Sequence, residues 1–177
     1  MPYNIENPRN LLNVIYQALH EKAKVLLKAI RGMGYTANLH YCNLHESLVN
    51  GCYAVEYFPL PEIEISGLTE SADLGIALDG SAWLELTLKK ADSLMVDYER
   101  LAGLCTFEIY GAFNYREDFY RPGMDPGMIK PMIKESKESE VHINFLLEES
   151  SEEAVASLFS LLEEMRLAKN GLKLRDS

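Results

Sequence analysis

The sequence predicts an α+β domain: a curved antiparallel sheet packed against a long N-terminal and a long C-terminal helix, with a short helix between strands. Three observations predict it. Apolar residues recur every three or four positions near both ends of the chain. Through the middle they alternate with polar ones. The alternating segments also follow one another in runs, which favours antiparallel layers over a parallel sheet with crossover helices.

At the N-terminal end, Asn7-Pro8 suits a helix start, with Asn7 as cap and proline where no amide partner is needed. Leu12, Ile15, Leu19, Ala23, Leu26 and Ile30 then form one apolar face, opposite Gln17, Glu21, Lys24, Lys28 and Arg31. Gly32 or Gly34 ends this helix. The period then changes to two. Ala37, Leu39 and Tyr41 alternate with Asn38, His40 and Cys42; Asn50-Gly51 marks a turn; and Tyr53, Val55 and Tyr57 open the return strand. Pro59 and Pro61 place Ile63 and Ile65 on an edge or after a kink.

Asp79-Gly80 marks a hairpin. Only an odd loop keeps every leucine on one face, and a loop over 79–81 pairs Ile76 with Leu84 and Leu74 with Leu86. That register sets Trp83 opposite Ala77 and Glu85 opposite Gly75. A short helix near Asp92–Leu101 would turn Leu94, Met95, Tyr98 and Leu101 to one side. Strands follow at Cys105–Ile109 and Val141–Phe145. Ser150 and Glu153 have capping-box spacing for a last helix striped by Val155, Leu158, Phe159, Leu162 and Met165. Asn170-Gly171 ends it, and Leu172–Ser177 reads as a tail. The 177 residues suit one core better than two, so 1–177 is read as a single domain.

Composition narrows the function classes. Net charge is −10, with −3 carried by residues 1–90 and −7 by 91–177, so neither half attracts a phosphate backbone or an anionic membrane. A protein partner, and a basic one, fits better. No apolar run is long enough to span a bilayer. The cysteines Cys42, Cys52 and Cys105 lack a disulfide spacing and read as reduced thiols of a cytoplasmic protein.

The connection over 112–140 is long for a compact domain, and such connections tend to be functional. Tyr115, Arg116, Phe119, Tyr120 and Arg121 are residue types favoured at protein interfaces, and Met124 and Met128 can adapt to an irregular partner. These residues are the expected partner-binding surface. The alternative is that Tyr115–Tyr120 extend the sheet and the rest is a surface loop with a short helix.

Signals of chemistry are sparse. His40, Cys42 and His45 collect imidazole and thiolate in a short window, which suits a zinc-type ion, although the spacing matches no familiar zinc module. No other cofactor is implied. Cys42 beside these histidines satisfies the residue list for a nucleophile, but nothing nearby lowers its pKa, and Cys105 sits in an apolar strand. Glu62, Glu64 and Glu85 read as solvated strand positions, and His20 and His142 as surface residues. There is no phosphate loop, nucleophile elbow or dinucleotide fingerprint. Trp83, the single tryptophan, offers a shelf for a small ligand.

In element order and acidic balance the chain resembles small dimeric secretion-chaperone-type α+β domains, from which the 112–140 connection departs. No catalytic residue is assigned. The expectation is a non-enzymatic, chaperone- or adaptor-like interaction module that forms a homodimer. A metal protein using His40, Cys42 and His45 is the rival, and a small-molecule binder using Trp83 the third reading.

Overall fold

The computed structural model describes residues 8–47, 54–77, 79–111, 118–165 and 167, with backbone alone for 8–12, 42–47 and 54–59. Helix α1 (Pro8–Gly32) is followed by strands β1 (Thr36–Ser47), β2 (Ala54–Ser66), β3 (Ser71–Ile76) and β4 (Ala82–Lys89). Two short helices, α2 (Lys90–Ser93) and α3 (Tyr98–Ala102), lead to β5 (Thr106–Gly111) and β6 (Asp118–Tyr120). A 3-10 turn over Pro126–Met128 runs into α4 (Ile129–Glu135), and β7 (Glu140–Leu147) and α5 (Glu152–Glu164) complete the order. The strands form one antiparallel, open sheet of seven in the order β1-β2-β3-β4-β7-β5-β6. The predicted fold class is the one observed.

Alternation puts Leu74, Leu84, Ile143 and Ile109 on one face, all of them fully buried. The α1 stripe of Leu19, Ala23, Leu26 and Ile30 and the α5 stripe of Val155, Leu158, Phe159 and Leu162 cover that face. The two helices touch each other. Just before β1, Tyr35 packs edge-on to Phe159 at 5.0 Å and donates its hydroxyl to Glu163 Oε1 at 2.8 Å. Neither helix hides its stripe alone, so the sheet and helices stabilise one another.

Several local expectations shift. In the β3–β4 hairpin Ile76 lies opposite Ala82 and Leu74 opposite Leu84, so Trp83 faces Gly75 and Glu85 faces Asp73. The loop is odd, as expected, but begins one residue earlier: the Ala77 amide donates to the Ser81 carbonyl at 2.9 Å. Gly80, at φ +89°, takes the left-handed position that the turn needs. The register moved by two residues, so every side chain kept its face.

The single short helix is split in two, because Asp97 accepts the Arg100 amide at 3.1 Å and caps a new start. Met95 is left exposed while Tyr98 and Leu101 are buried. The α5 cap is Ser151, which accepts the Ala154 amide at 3.1 Å. Ser150 instead donates its hydroxyl to the Gly80 carbonyl at 2.8 Å, tying the β3–β4 turn to the β7–α5 junction. The last helix stops at Glu164, where the Leu167 amide reaches back to the Leu162 carbonyl at 2.8 Å and Leu167 is buried. The expected cap Asn7, the Asn50-Gly51 turn and the Asn170-Gly171 stop lie outside the described residues.

The 112–140 connection holds β6, the 3-10 turn and α4, much as its plainer reading required. Asp125 caps the turn by accepting the Gly127 amide at 3.0 Å, and Ile129 and Ile133 anchor α4 in the core.

Candidate functional site on the open sheet face

All the long helices lie on one side, so the opposite face of the sheet presents its side chains outward. Register lines these into rows. One row crosses six strands as Asn38, Glu64, Asp73, Glu85, Asn144 and Glu108. The row beside it reads His40, Glu62, Gly75, Trp83, Leu146 and Thr106. Neither contains a lysine or arginine.

Two constellations stand on this face. In the first, His40 Nε2 meets Glu62 Oε2 at 3.0 Å across the β1–β2 pair. Asp73 lies diagonally beyond on β3. One ligand atom from each of His40, Glu62 and Asp73 falls within 4.8 Å of the other two. Burial raises the Asp73 pKa above its ordinary value; the neighbouring His40 opposes this, and the charges of Glu62, Glu64 and Glu85 push it up further.

In the second, Glu85 Oε1 and His142 Nδ1 are 2.9 Å apart, and Tyr110 donates its hydroxyl to the other Glu85 oxygen. Thr87 Oγ1 lies 3.2 Å from the same His142 nitrogen, and Ser71 donates to Thr87 at 3.0 Å. A carboxylate only accepts, so Nδ1 carries the proton. Burial alone would raise the Glu85 pKa, but the hydrogen bonds from His142 and Tyr110 outweigh it and hold the carboxyl below its ordinary value. Tyr110 also stacks on His142, with ring centroids 5.2 Å apart. Both carboxylate oxygens and the Nδ1 proton are engaged, which makes this a structural network.

The expected site residues fall on several elements. His40 stands on the open face, and its neighbours there are Glu62 and Asp73. Cys42 sits two positions along β1, opposite Leu60, and His45 falls at the irregularity between Leu44 and Glu46; their side chains lie outside those described. Trp83 lies on the open face with its indole over Gly75. A Cβ there would be 2.2 Å from the ring, so only glycine admits this pose. Tyr115 and Arg116 lie outside the described residues.

Phe119 and Tyr120, expected at a partner surface, are core residues: Tyr120 stacks on Phe107 at 4.8 Å and Phe119 is fully buried. An aromatic run suits a core as well as an interface, and β6 draws these two inward. Arg121, Met124 and Met128 remain exposed. Burial pushes the thiol of Cys105, half-buried one residue before β5, up to about 11, away from the reactive thiolate.

Sequence reasoning missed Glu62 and Asp73 as partners of His40, and Glu85 with His142 as a pair. For the first, a signal existed. Folding the chain about the Asn50-Gly51 turn brings residues equally distant from Gly51 together, and His40 and Glu62 are such a pair.

The geometry defines a class of domain: an open antiparallel sheet, roofed by helices on one side and acidic on the other. No family model matches the chain, and no curated protein matches it. Among solved structures it is similar to a conserved hypothetical protein from Pyrococcus furiosus, with 20% sequence identity over 92% of this chain and 95% of that one, and a TM-score of 0.63. That likeness is one of fold.

Proposed function

We propose that the domain is a protein-interaction module whose open sheet face takes a lysine- or arginine-rich segment of a partner protein. The observation that carries this reading is the row of Glu64, Asp73, Glu85 and Glu108 across the sheet, without a basic residue among its members. Crowded carboxylates attract cations and repel phosphate, which favours a basic peptide over nucleic acid. The net charge of −10 extends the same field beyond the face. A cytoplasmic setting, in which the thiols stay reduced, goes with this reading. Arg121, Met124 and Met128, with Tyr115 and Arg116 in the same 112–140 connection, are proposed as a second, separate contact for the partner.

A fluorescent oligolysine peptide, titrated in chelator and followed by anisotropy, tests the reading. Binding should weaken steeply with salt. The double variant Glu64→Gln, Glu108→Gln should bind about threefold to tenfold more weakly. Equal binding by the double variant, or none by the wild type at low salt, removes the proposed face.

Self-association is favoured by a separate observation. β1 is a twelve-residue edge strand without lysine, arginine or proline, the usual guards against pairing with another chain. Arg31 covers the Ala37 carbonyl at 2.7 Å and 2.9 Å, and an irregularity between Leu44 and Glu46 blunts the other end. The middle stays available, with Tyr41 exposed beside Tyr16 and His20. Two copies pairing there antiparallel would form a symmetric dimer. Light scattering should return twice the 20.0 kDa chain mass, falling to one on Tyr41→Lys. A wild-type monomer at every concentration excludes the dimer.

A further inference from the structure

We infer that His40, Glu62 and Asp73 form a binding site for a first-row divalent cation of the zinc type. The three residues come from adjacent strands β1, β2 and β3, so the sheet's own hydrogen bonding fixes their spacing. One donor atom from each lies within 4.8 Å of the others. Donors held about 2.0–2.2 Å from a tetrahedral zinc ion stand about 3.3–3.6 Å apart, so side-chain rotations that close the set by about an ångström bring it to bonding distance. His40 Nε2 now donates to Glu62 Oε2 at 3.0 Å, and the cation would take the place of that proton between them.

The donor set selects the ion. One imidazole nitrogen and two carboxylate oxygens suit zinc or manganese, whereas calcium and magnesium take oxygen alone. Three protein ligands leave a fourth position for water or for a group from another molecule.

The surroundings favour the cation. Asp73 is half-buried, accepts no hydrogen bond among the described residues, and has carboxylates on neighbouring strands. A divalent ion neutralises that crowding. Gly75, opposite Glu62, brings the Trp83 indole down beside the set. The Glu85–His142 pair on the same face is not a rival, because among the described residues no third ligand atom lies within 4.8 Å of both.

The site needs neither Cys42 nor His45, and it shares a face with the proposed peptide surface without depending on it. Calorimetry with zinc alone, on chelator-stripped protein made without a metal-affinity tag, tests it. One zinc per chain is expected. His40→Ala and Asp73→Asn should each weaken binding more than about tenfold. Cys42→Ser, which removes a competing thiol, and Glu108→Gln, at the far end of the face, should leave binding unchanged.

Histidine ring NMR of the wild-type protein avoids any question of variant folding. Zinc should move the His40 ring signals and leave those of His142 in place. Absence of zinc uptake, equal uptake by His40→Ala and Asp73→Asn, or unmoved His40 signals each overturn the proposal. The peptide titration is run in chelator, so its failure leaves the metal site standing, and loss of zinc binding leaves the peptide surface standing.

Discussion

Replacing Phe107 by alanine is expected to lower the free energy of unfolding by about 3–5 kcal/mol. Phe107 sits on β5, which joins β7 to β6, and is almost wholly buried. Its ring stacks on Tyr120 at 4.8 Å and packs near Phe145 at 6.2 Å and Tyr98 at 6.4 Å. Strands β5, β6 and β7 and helix α3 therefore share one aromatic contact. Truncation removes the transfer energy of the ring and leaves a cavity that sheet-bound neighbours cannot collapse into. Domains of this kind have a total stability of about 5–15 kcal/mol, so the loss is a large fraction of the whole. Urea denaturation measures it. Hydrogen exchange should show residues 118–135 losing protection first, because β6 and α4 lean on this cluster. A loss under about 1 kcal/mol would mean that the aromatic cluster is not packed as described.

The second large effect concerns Glu85. Exchanging it for glutamine keeps the shape and removes the charge that His142 and Tyr110 bond to. Hydrogen bonds to charged, mostly covered groups are worth about 1.5–3 kcal/mol, so Glu85→Gln should cost about 1–3 kcal/mol at pH 7. The pH dependence has a definite sign. The Glu85 carboxyl is held below its ordinary value of 4.5 in the folded protein. Its contribution is therefore fully present above that value and fades as pH falls through the lowered one. Asp73, its cross-strand neighbour, is shifted the opposite way, above 3.8. Folding favours its protonated form, so its ionisation costs stability as pH rises through that window. Unfolding of wild type and Glu85→Gln, compared in chelator at pH 7 and pH 3, should show the gap between them narrowing at the lower pH. A gap that stays constant with pH would assign the loss to packing alone.

Periodicity carried much of the architecture because it depends on neighbours along the chain. The stripes on α1 and α5 needed only the helical repeat, and the inward faces of β3 and β4 needed only parity. That is why Leu74 and Leu84 landed on the core side although the hairpin register was two residues out. Pairings between distant segments were not legible. Nothing local to Val141–Phe145 says that this strand lies between β4 and β5. The candidate site was hidden for the same reason. Glu62, Asp73, Glu85 and His142 each look like ordinary solvated strand residues, and only cross-strand register sets them side by side. His40 was visible as a candidate ligand beside Cys42 and His45 on β1, but the proximity of Glu62 and Asp73 to it arises across the sheet. Phe119 and Tyr120 were misplaced because side-chain type does not separate a buried aromatic pair from an interfacial one.

The position of β7 has a consequence for how the domain is made. In chain order β1–β4 and β5–β6 precede β7, and without β7 each set ends in a raw edge. The strand that seals both edges is synthesised last, after the 90–139 excursion. Until then β4 and β5 offer bare backbone beside greasy faces, a state that invites mispairing. Ser150, placed just after β7 and bonded to the Gly80 carbonyl, latches that final strand to the first stack.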